Sequence, residues 1–447
     1  MASVSFFVRV SIILGLYALD PLQMSSVTDD ASAEIVNRIG SLIYEGDGQD
    51  AVTVILIDDS YLIDTKSQWP LPYAEQSKLF RQIFRYKPDA MFIDLLYTHD
   101  RAERGDSFST LKNVLDRAGR RTPVFIPKPD TSEFSDEALF STAHPVDVQW
   151  QGHDDFYPRA LGVLPTPASA LFEVYCQRHD CEHGALAGRE DMYIQWGSKL
   201  HPEQENFTPL ARCMRYESTI ASFFHIFISE VFWKLADDWR QPCPYTRTIM
   251  AQQLSANSDE AESLLSEAIT GKIVLVGALI QGARDEIVTP VNGKIAGVYF
   301  HAMALDNLIT MQDSYYRPAP SVFRKLDAVD VADCVLLVLV MLWSRYSEGK
   351  LHWFTRNKTV LTPQQIKLRS LCGALAVISI ILATSYVFVS VFHTQPINWI
   401  LIILLVVGVL VDQYRRHHLD INLIKKLKRK GKLMLVGLMR LFKTEER

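Results

Sequence analysis

Apolar residues are concentrated in four stretches of this 447-residue chain. One stretch opens the chain at residues 4–19, and three lie near its end at residues 328–343, 371–392 and 397–411. A helix needs about 20 apolar residues to cross a bilayer, and residues 371–392 carry no charged side chain. The pattern therefore predicts four transmembrane helices around one long polar block, residues 23–320.

Each apolar stretch has an alternative interpretation. The first resembles a signal peptide, but no small-x-small cleavage site precedes the polar block, so we expect an uncleaved anchor at residues 1–22. For the three later stretches the alternative is a helix buried in a soluble core. We expect an anchor at 1–22, one domain at 23–320, three spans within 321–412 and a tail at 413–447.

The distribution of charge predicts the orientation of these parts. Residues 23–320 contain 42 Asp and Glu side chains against 26 Lys and Arg. The loop at residues 344–369 and the tail at residues 413–447 are strongly basic instead. Because Lys and Arg near the ends of spans remain in the cytoplasm, we expect the loop and the tail inside the cell and the acidic block outside.

Four cysteines lie in the block expected outside the cell: Cys176, Cys181, Cys213 and Cys243. An even number of cysteines in an oxidising compartment indicates disulfides, and the pairs Cys176–Cys181 and Cys213–Cys243 are favoured among three connectivities. Free thiols are one alternative. The other is a metal site, because His179 and His183 lie beside Cys176 and Cys181, although the spacing is not that of a usual zinc finger.

Within the polar block, short apolar runs alternate with helical patterns. Strands are predicted at residues 52–57, 90–96, 123–126, 192–196 and 273–277, and helices at 75–86 and 300–309. The continuous β-branched run at 52–57 is typical of a strand buried on both faces. A strand, a helix and a strand in this order form a right-handed crossover with parallel strands. The predicted fold is therefore α/β, with a Rossmann-like, mostly parallel sheet, plus four transmembrane helices.

Several polar residues follow the predicted strands, where open parallel sheets bind ligands. They are Asp58 and Asp59 after the first strand, Asp94 late in the second, and Arg284, Asp285 and His301 after the last. Each also has an ordinary structural explanation. An Asp at a strand end can cap a helix or accept backbone N–H groups, a histidine can belong to the core, and an arginine can form a surface ion pair. We retain these six residues as ligand-binding candidates.

Enzymatic motifs are absent from the sequence. There is no phosphate-binding loop ending in Lys-Ser/Thr, no Ser in a nucleophile elbow, and no pair of histidines spaced for a metal on one helix. Four carboxylates, Asp58, Asp59, Asp94 and Asp285, could together hold Mg²⁺ or Ca²⁺, so a metal-dependent hydrolase outside the cytoplasm is a weaker hypothesis. We expect no catalytic residue, no resident metal and no cofactor.

Three segments of the chain resemble one known family. The first is VTVILIDDSYL at residues 52–62, continuing through a Trp-Pro turn, a helix and a strand to Tyr97. The second is residues 154–159 (DDFYPR), although the Gly usual in that turn of the family is missing here. The third and most specific is residues 271–309, with Asp285, Thr289-Pro290, Gly297 and His301-Ala302. Together they resemble the CHASE domain of the second type, an extracellular sensory domain of bacterial receptors.

This resemblance implies both a membrane arrangement and a function. The family has one span, the sensory domain and then three spans, which agrees with the hydropathy pattern. It implies a multi-pass protein of the bacterial inner membrane whose main domain is periplasmic. In the family a cyclase, kinase or phosphatase usually follows the last span, whereas only a short basic tail follows here. We therefore expect a non-enzymatic sensor that relays a signal to a separate protein.

The expected partners follow from the basic segments. The loop 344–369 and the tail 413–447 are expected to contact a cytoplasmic or membrane signalling protein, and the amphipathic tail an anionic lipid surface. No nucleic-acid-binding module accompanies the charge. The apolar residues 219–235 suggest a buried or dimer-interface helix, with a re-entrant membrane contact as the alternative. Because the sensory domains that this chain resembles often work as dimers, we expect a homo-oligomer or part of a larger membrane complex. A structural docking subunit of an envelope complex is the main alternative function.

Overall fold

A computed structural model of the protein describes residues 2–20, 23–97, 106–128, 139–148, 156–161, 163–181, 191–207, 244–255, 258–283, 285–323, 326–347, 363–412 and 414–415. The chain divides into two units. The sheet unit comprises Glu34–Pro318 and His393–Gln395. The helical unit comprises Met1–Ala33, Ala319–Phe392 and Pro396–Arg447.

The described strands and helices are numbered in chain order. The strands are β1 (Val52–Asp58), β2 (Ala90–Ile93), β3 (Val124–Pro127), β4 (His144–Val146), β5 (Phe156–Tyr157), β6 (Ala160–Leu161), β7 (Leu164–Pro165), β8 (Met192–Tyr193), β9 (Arg247–Met250), β10 (Ile273–Leu279), β11 (Glu286–Thr289), β12 (Gly293–Ala296), β13 (Ser321–Phe323) and β14 (Leu326–Asp327). The helices are α1 (Ala2–Leu19), α2 (Met24–Ser41), α3 (Asp59–Thr65), α4 (Tyr73–Arg85), α5 (Asp106–Gly119), α6 (Pro167–Cys176), α7 (Asp259–Ile269), α8 (Val298–Met311), α9 (Ala328–Ser347), α10 (Pro363–Ser390) and α11 (Trp399–Asp412). Short 3₁₀ helices cover Asp47–Gln49, Pro202–Asn206, Ala251–Ser255 and Gln312–Ser314.

A six-stranded sheet forms the centre of the sheet unit, in the order β4-β3-β2-β10-β1-β9. Each neighbouring pair is parallel. Successive side chains of a strand point to opposite faces, so the apolar run of β1 supplies both cores. Val54 and Leu56 pack under α6 and α8 on one face, whereas Ile55 and Ile57 pack with α4, α5 and α7 on the other. The predicted α/β fold with a mostly parallel sheet is confirmed.

The strand order differs from the simplest interpretation of the sequence. β1 and β2 are parallel, but they are not neighbours because β10 lies between them. The predicted strand at residues 192–196 is reduced to β8, which pairs antiparallel with β5 outside the main sheet. The two edge strands β4 and β9 were not predicted.

Helices make up most of the described part of the helical unit. Within the described part of the chain, one helical segment, Leu368–Ser390 within α10, is long and apolar enough by itself to cross a membrane. Residues Val10–Leu19 and Met24–Ser41 are long and apolar enough only when taken together, as a pair of helices bent by 71°. Only 22% of the most apolar part of Leu368–Ser390 is buried, and Leu375, Leu382 and Tyr386 are exposed along α10. Such an apolar surface is typical of a helix that faces lipid.

The other three predicted spans are helices in the structure, but that they cross a membrane stays a prediction. Residues 4–19 lie in α1, residues 328–343 in α9 and residues 397–411 largely in α11. Other predictions concern parts of the chain outside the described residues. These are the helix at 219–235, Cys213, Cys243, Arg284, most of the loop 344–369 and nearly all of the tail 413–447.

The cysteines at the end of α6 are joined. Cys176 and Cys181 form a disulfide with a Cα–Cα distance of 5.4 Å. Their thiols are therefore not available as ligands for the metal site considered with His179 and His183. Among the described residues, Cys334 and Cys372 of the helical unit are free.

Candidate functional site

The candidate site lies at the carboxyl ends of three neighbouring strands, β2, β10 and β1. Asp58 is the last residue of β1, and Asp94 follows β2 directly. After β10 the chain continues through Asp285 to α8, which carries His301 in its first turn. The candidate residues follow parallel strands, and the carboxyl ends of these strands lie at one edge of the sheet.

Two of the predicted site residues have structural roles here. The Asp58 carboxylate accepts a hydrogen bond from the N–H of Tyr61, 3.0 Å away, and caps the N-terminus of α3. The Asp59 carboxylate accepts from the N–H of Gln281, 3.1 Å away, and so holds the loop that follows β10. Ligand binding by these two acids stays a prediction.

The backbone of Asp94 is hydrogen-bonded to the sheet, and its side chain is buried. Its N–H donates to the carbonyl of Val276 in the neighbouring strand (2.8 Å), and its side chain is 11% exposed. Burial, reinforced by the neighbouring Asp285 carboxylate, raises the pKa of Asp94 well above its usual range. Burial also raises the pKa of Asp285. Burial at this edge of the sheet therefore shifts both carboxyl groups towards their neutral forms.

His301 lies between Tyr157, which it contacts by a hydrogen bond, and Asp94. The Nδ1 atom of His301 lies 2.8 Å from the hydroxyl of Tyr157, and that hydroxyl accepts from the N–H of Ala168 at 3.1 Å. With its oxygen accepting from Ala168, Tyr157 can donate its proton to Nδ1, which leaves the imidazole proton on Nε2. Nε2 lies 3.9 Å from Oδ2 of Asp94, too far for a direct hydrogen bond.

The protonation of His301 agrees with this arrangement. The ring is 7% exposed and makes an edge contact with Phe92, with the ring centres 5.2 Å apart. Burial lowers the pKa of His301 to about 3. The imidazole is consequently neutral over the physiological range, and it offers an N–H on the side of Asp94.

Two glycines permit the close packing around this edge. A β-carbon at Gly277 would overlap the side chain of Val298, so glycine allows α8 to begin directly against β10. A β-carbon at Gly297 would come within 2.7 Å of Oδ1 of Asp285. The N–H of Gly297 donates to the carbonyl of Asp285 (2.9 Å), which fixes the start of α8 beside that acid.

The structure thus brings Asp94, Asp285 and His301 to one edge and adds Tyr157, which was not predicted as a site residue. The only sequence signal for Tyr157 was its place in the second segment of the family resemblance, residues 154–159. Within the described residues, no group of three or more His, Cys, Asp or Glu side chains is placed to hold a metal ion. Chemically, the edge offers neutral hydrogen-bond donors and acceptors in a desolvated setting.

Comparison with known proteins identifies the family. The CHASE2 domain family matches residues 8–343 of the chain. No curated protein and no solved structure matches it. The matched region contains the whole parallel sheet and the residues at its carboxyl edge, and it covers more than half of the sequence, which confirms the resemblance found in the three segments. The chain therefore belongs to the CHASE2 domain family, a family of extracellular sensory domains usually found in membrane proteins.

Proposed function

We propose that this protein is a membrane-anchored sensor that binds a small polar molecule at the carboxyl edge of its parallel sheet. The domain would be periplasmic in the bacterial inner membrane, and the signal would pass to a separate cytoplasmic protein. The observation that carries the proposal is the pairing of Asp94 and His301. The two side chains face each other at 3.9 Å without a direct hydrogen bond between them.

A cluster of buried titratable side chains such as this one is unusual if its role is only structural. Removing titratable side chains from water costs free energy, so packing alone does not favour a cluster of them. Titratable groups with pKa values displaced by burial at a sheet edge are typical of binding sites. Asp94, Asp285 and His301 all have such displaced pKa values.

The protonation states of these groups suggest the class of ligand. Burial shifts the Asp94 carboxyl group towards its neutral form, and His301 is a neutral N–H donor. An anion would lose its hydration in this desolvated place, and the neutral His301 would not compensate its charge. A molecule with uncharged hydroxyl or amide groups can instead donate to Asp94 and accept from Nε2 of His301.

The relay to a partner rests on the sequence of the basic segments. Residues 344–369 and 413–447 are the parts expected in the cytoplasm, and both are rich in Lys and Arg. A ligand can shift the arrangement of the spans only if it binds two arrangements with different affinity. We assign the contact with the signalling protein, and with anionic lipid, to these two segments.

The ligand site can be tested by thermal unfolding of the full-length protein in detergent. A panel of sugars, polyols and amino acids, and separately Mg²⁺ and Ca²⁺, would be screened for a rise in the midpoint temperature. A ligand at 100 times its Kd stabilises by about 2.7 kcal/mol. We expect a polar, uncharged compound to raise the midpoint temperature of the wild type in this way, and not that of Asp94→Ala or Tyr157→Phe.

Asp64→Asn is the matched control, because Asp64 is an exposed acid on α3. This variant should respond to the compound as the wild type does. Stabilisation by a compound that persists in both Asp94→Ala and Tyr157→Phe would contradict the proposed site. Stabilisation by a divalent cation alone, lost in Asp94→Asn, would contradict the proposed ligand class.

A further inference from the structure

A second buried acid, Asp306, lies on α8 beyond the candidate site. It is five residues after His301 on the same helix, and only 1% of the residue is exposed. Three segments surround it: the loop before β1 with Tyr44 and Asp47, the segment before β9 with Tyr245, and α8 itself. None of the residues predicted from sequence belongs to this group.

A directional chain of hydrogen bonds reaches one oxygen of this carboxyl group. The backbone of Gln195 holds the amide of Asn307, since its N–H donates to Oδ1 (2.7 Å) and its carbonyl accepts from Nδ2 (2.9 Å). The same Nδ2 donates to the hydroxyl of Tyr44 (2.9 Å), and Tyr44 donates to Oδ2 of Asp306 (2.7 Å). Oδ2 therefore acts as an acceptor.

The other oxygen is left without a bond. Oδ1 of Asp306 is fully buried and has no hydrogen-bond partner among the described residues. A β-carbon at Gly46 or at Gly48 would overlap the carboxyl group of Asp306, so two glycines let the loop close directly over it. The loop is held by the N–H of Gly46, which donates to the hydroxyl of Tyr245 at 2.8 Å.

This geometry limits what Asp306 can bind while the loop is closed. A gap that cannot hold a carbon atom cannot hold a metal ion with its coordination shell either. An ionised carboxylate would be buried with a single donor, which is costly, so the group takes up a proton instead. Burial raises the pKa of Asp306 to about 7, the nearby Asp47 acts in the same direction, and the hydrogen bond from Tyr44 opposes both.

We propose that Asp306 is a proton-binding site, and that loss of its proton opens the loop at residues 46–48. With the proton bound, the neutral carboxyl group tolerates burial under the glycines. Without it, the charged group favours an open loop through which water reaches Oδ1. This site is separate from the carboxyl edge of the sheet and does not depend on the ligand proposed there.

Hydrogen exchange of the full-length protein in detergent tests the proposal. The observable is the exchange of peptides covering residues 44–50 at pH 6 and pH 8, corrected for the intrinsic change of exchange rate with pH. For a group that titrates near 7 when buried, the open population rises about tenfold between these two pH values. We expect that rise in the wild type and in the Asp64→Asn control, and none in Asp306→Asn.

Two results would overturn the proposal. One is equal protection of residues 44–50 at pH 6 and pH 8 in the wild type, a measurement that needs no variant to fold. The other is the same pH dependence in Asp306→Asn as in the wild type. Infrared spectroscopy adds a direct readout: a protonated-carboxyl C=O band that weakens from pH 6 to pH 8 in the wild type should be reduced in Asp306→Asn, and a band unchanged by that substitution would count against Asp306.

Discussion

Asp94 in the sheet unit and Asp333 in the helical unit are both buried acids, but their surroundings differ. Asp333 is 1% exposed and its oxygens are used: Oδ2 accepts from the hydroxyl of Tyr17 at 2.9 Å, and both oxygens lie 3.2 Å from the N–H of Asn398. Asp94 lies opposite a neutral His301 at 3.9 Å. The carboxylate of Asp333 joins helices through its hydrogen bonds, whereas Asp94 is held in place by its backbone hydrogen bond to the sheet.

The partners of Asp333 explain its structural role. Tyr17 belongs to α1 and Asp333 to α9, while Asn398 caps the N-terminus of α11, where it accepts from the N–H of Leu401 at 3.2 Å. One carboxylate therefore joins three helices that are distant in sequence. Buried ionisable groups within helical bundles usually have such specific partners.

Removing the Asp333 carboxylate should have the largest effect of the substitutions considered. We expect Asp333→Ala to lower the free energy of unfolding by about 3 kcal/mol, because the N–H of Asn398 loses its acceptor and Tyr17 loses one of two. Asp333→Asn keeps one acceptor oxygen and should lose about half as much. Thermal unfolding of the full-length protein in detergent measures both. Equal stability of Asp333→Ala and the wild type would show that this junction does not hold the helices.

A pair of glycine substitutions contrasts the packing of the two units. Gly277→Ala should destabilise by about 2 kcal/mol, because the added methyl group overlaps Val298 at the start of α8. At Gly408 in α11 an added β-carbon would meet no described atom within 4 Å, so Gly408→Ala should cost nothing and can stabilise the helix slightly. The same unfolding assay compares them. A Gly277→Ala variant as stable as Gly408→Ala would mean that α8 does not pack tightly on β10.

Asp94→Asn should change stability in the opposite direction, and only at high pH. An acid whose pKa is raised on folding contributes stability at low pH that is lost as the pH rises through its value in the folded protein. An uncharged amide removes that loss, so we expect Asp94→Asn to be more stable than the wild type at pH 8 and about equal to it at pH 4. Unfolding curves at both pH values test this. Lower stability of Asp94→Asn at pH 8 would indicate a structural carboxylate like Asp333.

The central part of the fold was predictable because its sequence signals are strong. β1 and β10 are continuous apolar runs, and α4 has a helical apolar face, so their types followed from periodicity. The edge strands β4 and β9 were missed. β4 contains only His144, Pro145 and Val146, and β9 begins with Arg247 and Thr248, so neither shows the apolar run of a central strand.

Only those site residues that directly follow a predicted parallel strand could be predicted from the sequence. Asp94, Asp285 and His301 follow predicted strands, and the ligand-binding edge of a parallel sheet is known in advance. Tyr157 comes from a two-residue strand without any periodic pattern. The contact of Gly46 and Gly48 with Asp306 joins residues more than 250 positions apart, and nothing local in either segment indicates it.

The central claim, that the acidic sheet unit senses the outside while the basic segments remain inside, can be tested by labelling single cysteines. In a variant whose six native cysteines are replaced by serine, Asp64→Cys and Arg356→Cys would each be exposed to a membrane-impermeant maleimide in intact bacterial spheroplasts. We predict that the cysteine at position 64 is labelled in intact spheroplasts and that the one at position 356 is labelled only after lysis. Labelling at 356 in intact spheroplasts, with none at 64, would contradict the sensor proposed here.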